Sequence, residues 1–154
     1  TWTGRKMAKL NERIETALPL DEAFAFIADF ANSKDWDPGV ATSVPLDPGP
    51  VAVGSRYQLG IRRGDSVSSM EYVVTALEPL RRVVLVGEGS GVSAIDDIRF
   101  AATQGGTRID YMADIRLRGV RRLAAPFAGG AIAKIVRQGR DGMQRALDER
   151  AAGR

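Results

Sequence analysis

The sequence contains no histidine and no cysteine among its 154 residues. Without histidine there is no Ser-His-Asp triad, no imidazole general base, no His-ligated haem and no common zinc site. Without cysteine there is neither a disulfide nor a thiolate ligand, which suits a reducing compartment. Catalysis, if there is any, falls to Asp, Glu, Tyr, Lys, Arg, Ser or Thr, and neither a metal nor a cofactor is expected. No apolar run approaches the ~20 residues of a membrane-spanning helix. The start, Thr1-Trp2-Thr3-Gly4-Arg5-Lys6, lacks the apolar core of a signal peptide. These absences lead to the expectation of a cytoplasmic protein without integral membrane association.

Aromatic residues make up only 6% of the chain, and the net charge is +3. The arginines are spread from Arg56 to Arg154 rather than clustered with aromatics, so they read as a solvated surface and not as a nucleic-acid interface. Nor is there a phosphate cradle. Gly87-Glu88-Gly89-Ser90-Gly91-Val92 starts like a dinucleotide fingerprint, but the last glycine is missing and a strand, not a helix, follows.

A chain of this length suits one domain burying roughly 70% of its unfolded surface. Residues 1–6 are expected to lie outside the fold, 7–151 to form a single domain and 152–154 to be a tail. Asn11–Ala17 alternates as a first strand before Pro19. Leu20, Phe24, Ile27 and Ala31 then share one helical face up to Asn32. Residues 33–50 are turn-rich, with Val40–Leu46 as a short edge strand. From Ser55 to Arg118 the period is two. Tyr57, Leu59 and Ile61 alternate with polar neighbours, Ser68–Leu77, Val83–Gly87 and Ser93–Ala102 follow, and Gly87–Gly91 reads as a loop. Ile109, Tyr111, Ala113, Ile115 and Leu117 form the clearest half-buried strand. Strands joined by such short turns must be antiparallel.

The last segment, Val120 to about Ala151, is a long amphipathic helix. Ile132, Ile135, Val136, Gly139, Met143, Ala146 and Leu147 line its apolar face, and Lys134, Arg137, Arg140, Asp141, Gln144, Arg145 and Asp148 its wet one. The set Val120, Leu123, Ala124 and Phe127 is out of phase with that stripe, which predicts a kink or restart at Ala128-Gly129-Gly130, with Pro126 near the first turn. The expected fold is α+β. A curved antiparallel sheet of six to seven strands wraps the long C-terminal helix, and a short helical segment follows the first strand.

Trp36-Asp37-Pro38-Gly39 after the first helix, Glu71-Tyr72 leading to Glu78-Pro79, Gly106-Thr107-Arg108 opening the last strand, and Gly119 before the long helix stand in an order that resembles a known family. It is the polyketide cyclase/dehydrase branch of the START-like (SRPBCC, Bet v 1-like) superfamily. The resemblance covers Asn11 to Glu149. It implies a helix-grip fold enclosing an apolar cavity for lipids, polyketides or other hydrophobic molecules. It does not imply one activity, because the superfamily mixes enzymes, carriers and sensors.

If the concave face lines such a cavity, Tyr111, Ala113, Ile115 and Leu117 face it. Turning Ile98 and Phe100 inward also turns Asp96 inward, where a carboxyl among apolar side chains is held towards its neutral form. Asp96 is therefore the sharpest candidate for chemistry, with Tyr111 as the candidate tyrosine; the plainer reading is an Asp96 bonded to a neighbouring strand's Arg or Tyr, or lying beyond the cavity. Asp97 faces the other way and is expected to be solvated. The remaining ligand-binding candidates are Trp36, Tyr57, Leu59, Tyr72, Phe127 and Ile135, with Trp36 chiefly pinning its turn and Phe127 acting as a flap.

Three functions follow as expectations. The first is the binding of a hydrophobic small molecule by a monomer or homodimer. The second is a cofactor-independent cyclase, aromatase or dehydratase using Asp96 and a cavity tyrosine. The third is an interaction protein whose core is packed shut.

Overall fold

The computed structural model describes residues 8–119 and 125–154. Seven strands, β1 (Ala8–Thr16), β2 (Val40–Pro45), β3 (Arg56–Arg63), β4 (Ser66–Glu78), β5 (Arg82–Gly89), β6 (Val92–Thr103) and β7 (Gly106–Leu117), form one antiparallel sheet in the order β1-β7-β6-β5-β4-β3-β2. Between β1 and β2 lie α1 (Leu20–Ala28), a 3-10 turn (Phe30–Asn32) and the single turn α2 (Ser33–Trp36). After β7 comes α3 (Ala125–Ala152). Bulges at Val40/Thr42 in β2 and Val74/Ala76 in β4 add local bend and twist to the sheet. The fold is the expected helix-grip α+β arrangement.

Three local expectations need correction. The segment from Leu20 to Asn32 is not one helix: Asp29 leaves helical geometry at φ −88°, ψ 102°, and its carboxylate accepts the Ala31 N–H at 3.0 Å, starting a second turn. Gly87 and Gly89 belong to strand β5, and the hairpin turn is Ser90-Gly91, with Gly91 at φ 71°. The helix does not restart at the glycine pair. It runs unbroken from Ala125 through Gly129 and Gly130, with Pro126 in its first turn. Both glycines face open space and are exposed, so they weaken the helix without opening a path for a neighbour to cut it. The expectation for Val120–Ala124 lies outside the described residues.

One face of α3 closes the core. Met143 and Leu147 are fully buried with Ile14, Leu18, Ile27 and Ile109. Its polar side is also used. Arg140 and Gln144 donate to the carbonyls of Arg13 and Glu15 at 3.3 and 2.7 Å, covering the free edge of β1. Arg150 lies 3.7 Å over the ring centroid of Phe26, near the helix C-terminus where the dipole favours a cation.

The helix crosses the Trp36–Pro38 segment at very short range. A Cβ on Gly142 would come within 2.0 Å of the Trp36 carbonyl oxygen, a backbone atom that has no room to give. Gly142→Ala is therefore expected to destabilise the protein by about 2 kcal/mol or more through overpacking. Gly130→Ala, on the wet side, is expected to stabilise it by about 0.5–1 kcal/mol. Urea unfolding of the two variants checks both signs.

Candidate ligand cavity and its buried acid

Alternation along β6 and β7 positions the site. Val92, Ala94, Asp96, Ile98 and Phe100 point to the concave face from β6, and Ile109, Tyr111, Ala113, Ile115 and Leu117 from β7. Towards one end this face is filled: Ile98 and Ile109 are fully buried, and Phe100 stacks edge-on against Phe24 with centroids 4.9 Å apart. Towards the other end, under the N-terminal half of α3, a cavity of about 170 Å³ remains. Its lining runs from Phe30, Trp36 and Asp37 through Leu59, Met70 and Tyr72 to Ala94, Asp96, Tyr111, Ala113 and Ile115, roofed by Ile132, Ile135 and Val136. Arg62, Arg63 and the 53% exposed Ile135 mark its mouth.

Asp96 sits on the floor. Tyr111 donates its hydroxyl to Asp96 Oδ1 at 3.3 Å, and the register sets small Ala113 directly opposite Asp96, which leaves the carboxyl uncovered. Burial pushes this carboxyl up from 3.8 to about 7, the charge of Asp37 adds to the rise, and the Tyr111 hydrogen bond opposes it. Asp97, one residue on, takes the convex face and the opposite fate. It is bidentate with Arg82 at 2.9 and 3.0 Å and paired with Arg99 at 3.5 Å. Burial there works against the charge, but the arginine hydrogen bonds outweigh it and hold the carboxyl below its usual range. Asp97 is thus an ion-paired, buried residue rather than a solvated one.

The aromatic side chains pack as a cluster: Phe30 lies against Trp36, Tyr57 and Tyr72, and Trp36 is edge-on to Tyr111 at 6.3 Å. Tyr72 stands opposite Gly87, and its ring occupies the space a Cβ there would need. Its hydroxyl has no hydrogen-bond partner among the described residues, and neither has the buried Trp36 Nε1. Burial, and then the charge of Asp96, raise Tyr72 and Tyr111 well above the ordinary phenol value.

Of the residues singled out in the sequence, Trp36, Leu59, Tyr72, Asp96, Tyr111, Ala113, Ile115 and Ile135 line this cavity. Tyr57, Ile98 and Phe100 do not. Ile98 and Phe100 belong to the filled end, and Tyr57 turns towards Asp29, with burial and then that charge pushing its phenol up to about 12. The side chain of Phe127 lies outside the described residues. Asp37 was missed. Its Oδ1 accepts the Gly39 N–H at 2.8 Å, the bond expected of a turn aspartate, yet the same side chain lines the cavity beside Gly139 of α3. Burial raises this carboxyl, opposed by the Gly39 hydrogen bond. The Gly139/Gly142 spacing on one helical face was the available signal that another segment crosses here.

A raised carboxyl costs stability above its unfolded value. Below about pH 4 Asp96 is protonated in both states and costs nothing. Between pH 4 and 7 the unfolded chain gives up the proton that the folded one keeps, so stability falls, and above about 7 the penalty is complete. Asp96→Asn is expected to be more stable than the parent by roughly 1–3 kcal/mol at pH 8 and equal to it below pH 4. Denaturant midpoints measured across that range provide the check.

The fold has counterparts. Among solved structures, an aromatase/cyclase, ZhuI from Streptomyces sp. R1128, superposes with a TM-score of 0.76 at 14% identity, over 94% of this chain and 93% of that one. A START superfamily protein from Mycobacterium smegmatis does so with a TM-score of 0.75 at 10% identity, over 90% and 96%. A Rhizobium leguminosarum protein gives 0.69 at 17% identity, over 91% and 93%. At these identities the likeness is one of fold. A search of curated protein sequences finds no match. The family described as polyketide cyclase/dehydrase and lipid transport matches residues 7–148, and with the helix-grip fold built around them this chain belongs to that family.

Proposed function

We propose that the protein binds a small hydrophobic molecule in the cavity between the sheet and the N-terminal half of α3. The observation that carries this reading is the cavity itself, walled by apolar and aromatic side chains and open at Ile135, with two hydrogen-bonded acids, Asp96 and Asp37, in its lining. That is the usual composition of a ligand site, a mostly apolar pocket with a few placed polar groups. An apolar cavity of about 150 Å³ takes up one benzene molecule. The 170 Å³ found here therefore suits one ring or a short chain, and a longer ligand would extend through the mouth. The presence of this space argues against the closed-core alternative.

A second reading is supported by Asp96. Acid–base catalysis works best with a group whose pKa lies near the working pH, and this carboxyl stands at about 7 within reach of a tyrosine hydroxyl. In a cyclase or dehydratase without a cofactor, the carboxylate would take a proton from a carbon next to a carbonyl. The neutral acid would give one to a departing hydroxyl, and Tyr111 would keep the carboxyl oriented.

Binding is tested by native mass spectrometry and thermal shift with single-ring aromatics and short-chain alcohols. A ligand at about 100 times its Kd adds roughly 2.7 kcal/mol of stability and a measurable rise in Tm. Ala113→Leu, which fills the space beside Asp96, is expected to remove that rise. An unchanged Tm with every probe, together with no mass adduct, would sink the binding reading. For the enzymatic one, Asp96→Asn is expected to abolish turnover of a polyketide-like substrate and Tyr111→Phe to lower it, with folding retained in both. Unchanged turnover in the two variants removes it.

A further inference from the structure

Two acids share this cavity, and neither has a cation to neutralise it among the described residues. Among the described residues the Asp96 carboxyl accepts only from the Tyr111 hydroxyl, and the Asp37 carboxyl only from the Gly39 N–H. No described lysine or arginine forms an ion pair with either carboxyl, although ten ion pairs are formed between described residues elsewhere on the molecule. Arg62 and Arg63 stand at the mouth, where Arg62 donates to the Pro38 carbonyl at 3.1 Å. Among its described side chains, α3 brings Ile132, Ile135 and Val136 to the lining, and these carry no charge. Unneutralised buried acids are costly, and they occur where a partner is to be received.

A separate observation points the same way. Tyr72 is buried, lines the cavity, is held in place by the close approach of its ring to Gly87, and has a hydroxyl without a partner among the described residues. The charges of both Asp96 and Asp37 act on this hydroxyl, so it stands in the same group as the two acids. Trp36, Phe30 and Tyr111, packed on one another, line the same cavity. Carboxylates set among aromatic rings make a receptor for an organic cation, because the rings favour a positive charge and the acids supply hydrogen-bond acceptors for its N–H groups.

We infer that the cavity receives a small organic ammonium ligand of single-ring size, with its charged nitrogen between Asp96, Asp37 and the Tyr72 hydroxyl and its ring against the aromatic walls. This rests on the proposed binding function and narrows it from any hydrophobic molecule to a hydrophobic amine. A cation favours the ionised form of Asp96, so its affinity rises with pH across the range in which that carboxyl titrates. A neutral ligand that takes a hydrogen bond from the protonated acid changes in the opposite direction.

The experiment compares benzylamine, benzyl alcohol and benzoate, which have the same ring and differ in the charge of the head group, by calorimetry or NMR titration at pH 6 and pH 8. Benzylamine is expected to bind more tightly than benzyl alcohol and to gain about tenfold between the two pH values, as a carboxyl near 7 passes from about a tenth to nine-tenths ionised. Benzoate is expected not to bind. Asp96→Asn and Asp37→Asn should each remove the preference for benzylamine over benzyl alcohol, and Asp96→Asn should also remove the gain of benzylamine with pH. Equal binding of the amine and the alcohol, or an alcohol that weakens as pH rises while the amine shows no gain, overturns the inference and leaves the binding function standing. Failure of all three probes, in a protein whose melting curve is intact, overturns both.

Discussion

The close passage of α3 over the Trp36–Pro38 segment is the contact on which the site depends. The backbone of Gly142 lies where any side chain would strike the Trp36 carbonyl, and Asp37 rests beside Gly139 one turn earlier. This contact allows the helix to lie low over the sheet, so that Met143 and Leu147 reach the core. It also turns Trp36 and Asp37 into the wall of the cavity. Two glycines three residues apart thus seat the helix and shape the site together.

That seating divides the concave face. Beneath the C-terminal half of α3, Ile14, Ile98 and Ile109 are packed without space, and burial of this kind supplies most of the free energy of folding. Beneath the N-terminal half the strands carry smaller side chains at Ala94 and Ala113, and the helix presents Ile132 and Val136 across a gap. The protein gives up packing there. It also keeps in that gap a carboxyl that burial drives towards its neutral form, a local cost in a concave place that supports the proposed binding role.

Asp96 and Asp97 show how finely the backbone decides such matters. They are identical, adjacent residues on one strand. Period-two alternation sends one into an aromatic cavity, where burial drives it towards neutrality, and the other to the convex face, where Arg82 and Arg99 keep it charged. No property of the aspartate side chain distinguishes them; their surroundings do. The same logic separates Tyr111, bonded to Asp96, from Tyr57, which belongs to the same aromatic cluster but answers to Asp29.

The sequence by itself determined the architecture, because fold class follows from periodicity. Alternation at Ile109–Leu117, short turns between strands and the stripe Ile132–Leu147 permit little besides a curved antiparallel sheet gripping a helix. It also brought Asp96 and Tyr111 to the concave face, since strand parity is local. Which inward residues line a cavity and which fill a core was decided only in three dimensions. Ile98, Phe100 and Tyr57 have the same parity as the lining residues, and what packs over them separates them, as Phe24 of α1 does over Phe100 and Phe30 over Tyr57. Asp37 was hidden for the same reason. Its local role, closing a turn onto Gly39, is complete in the sequence, whereas its place beside Asp96 exists only because a helix a hundred residues later presses that turn against the sheet.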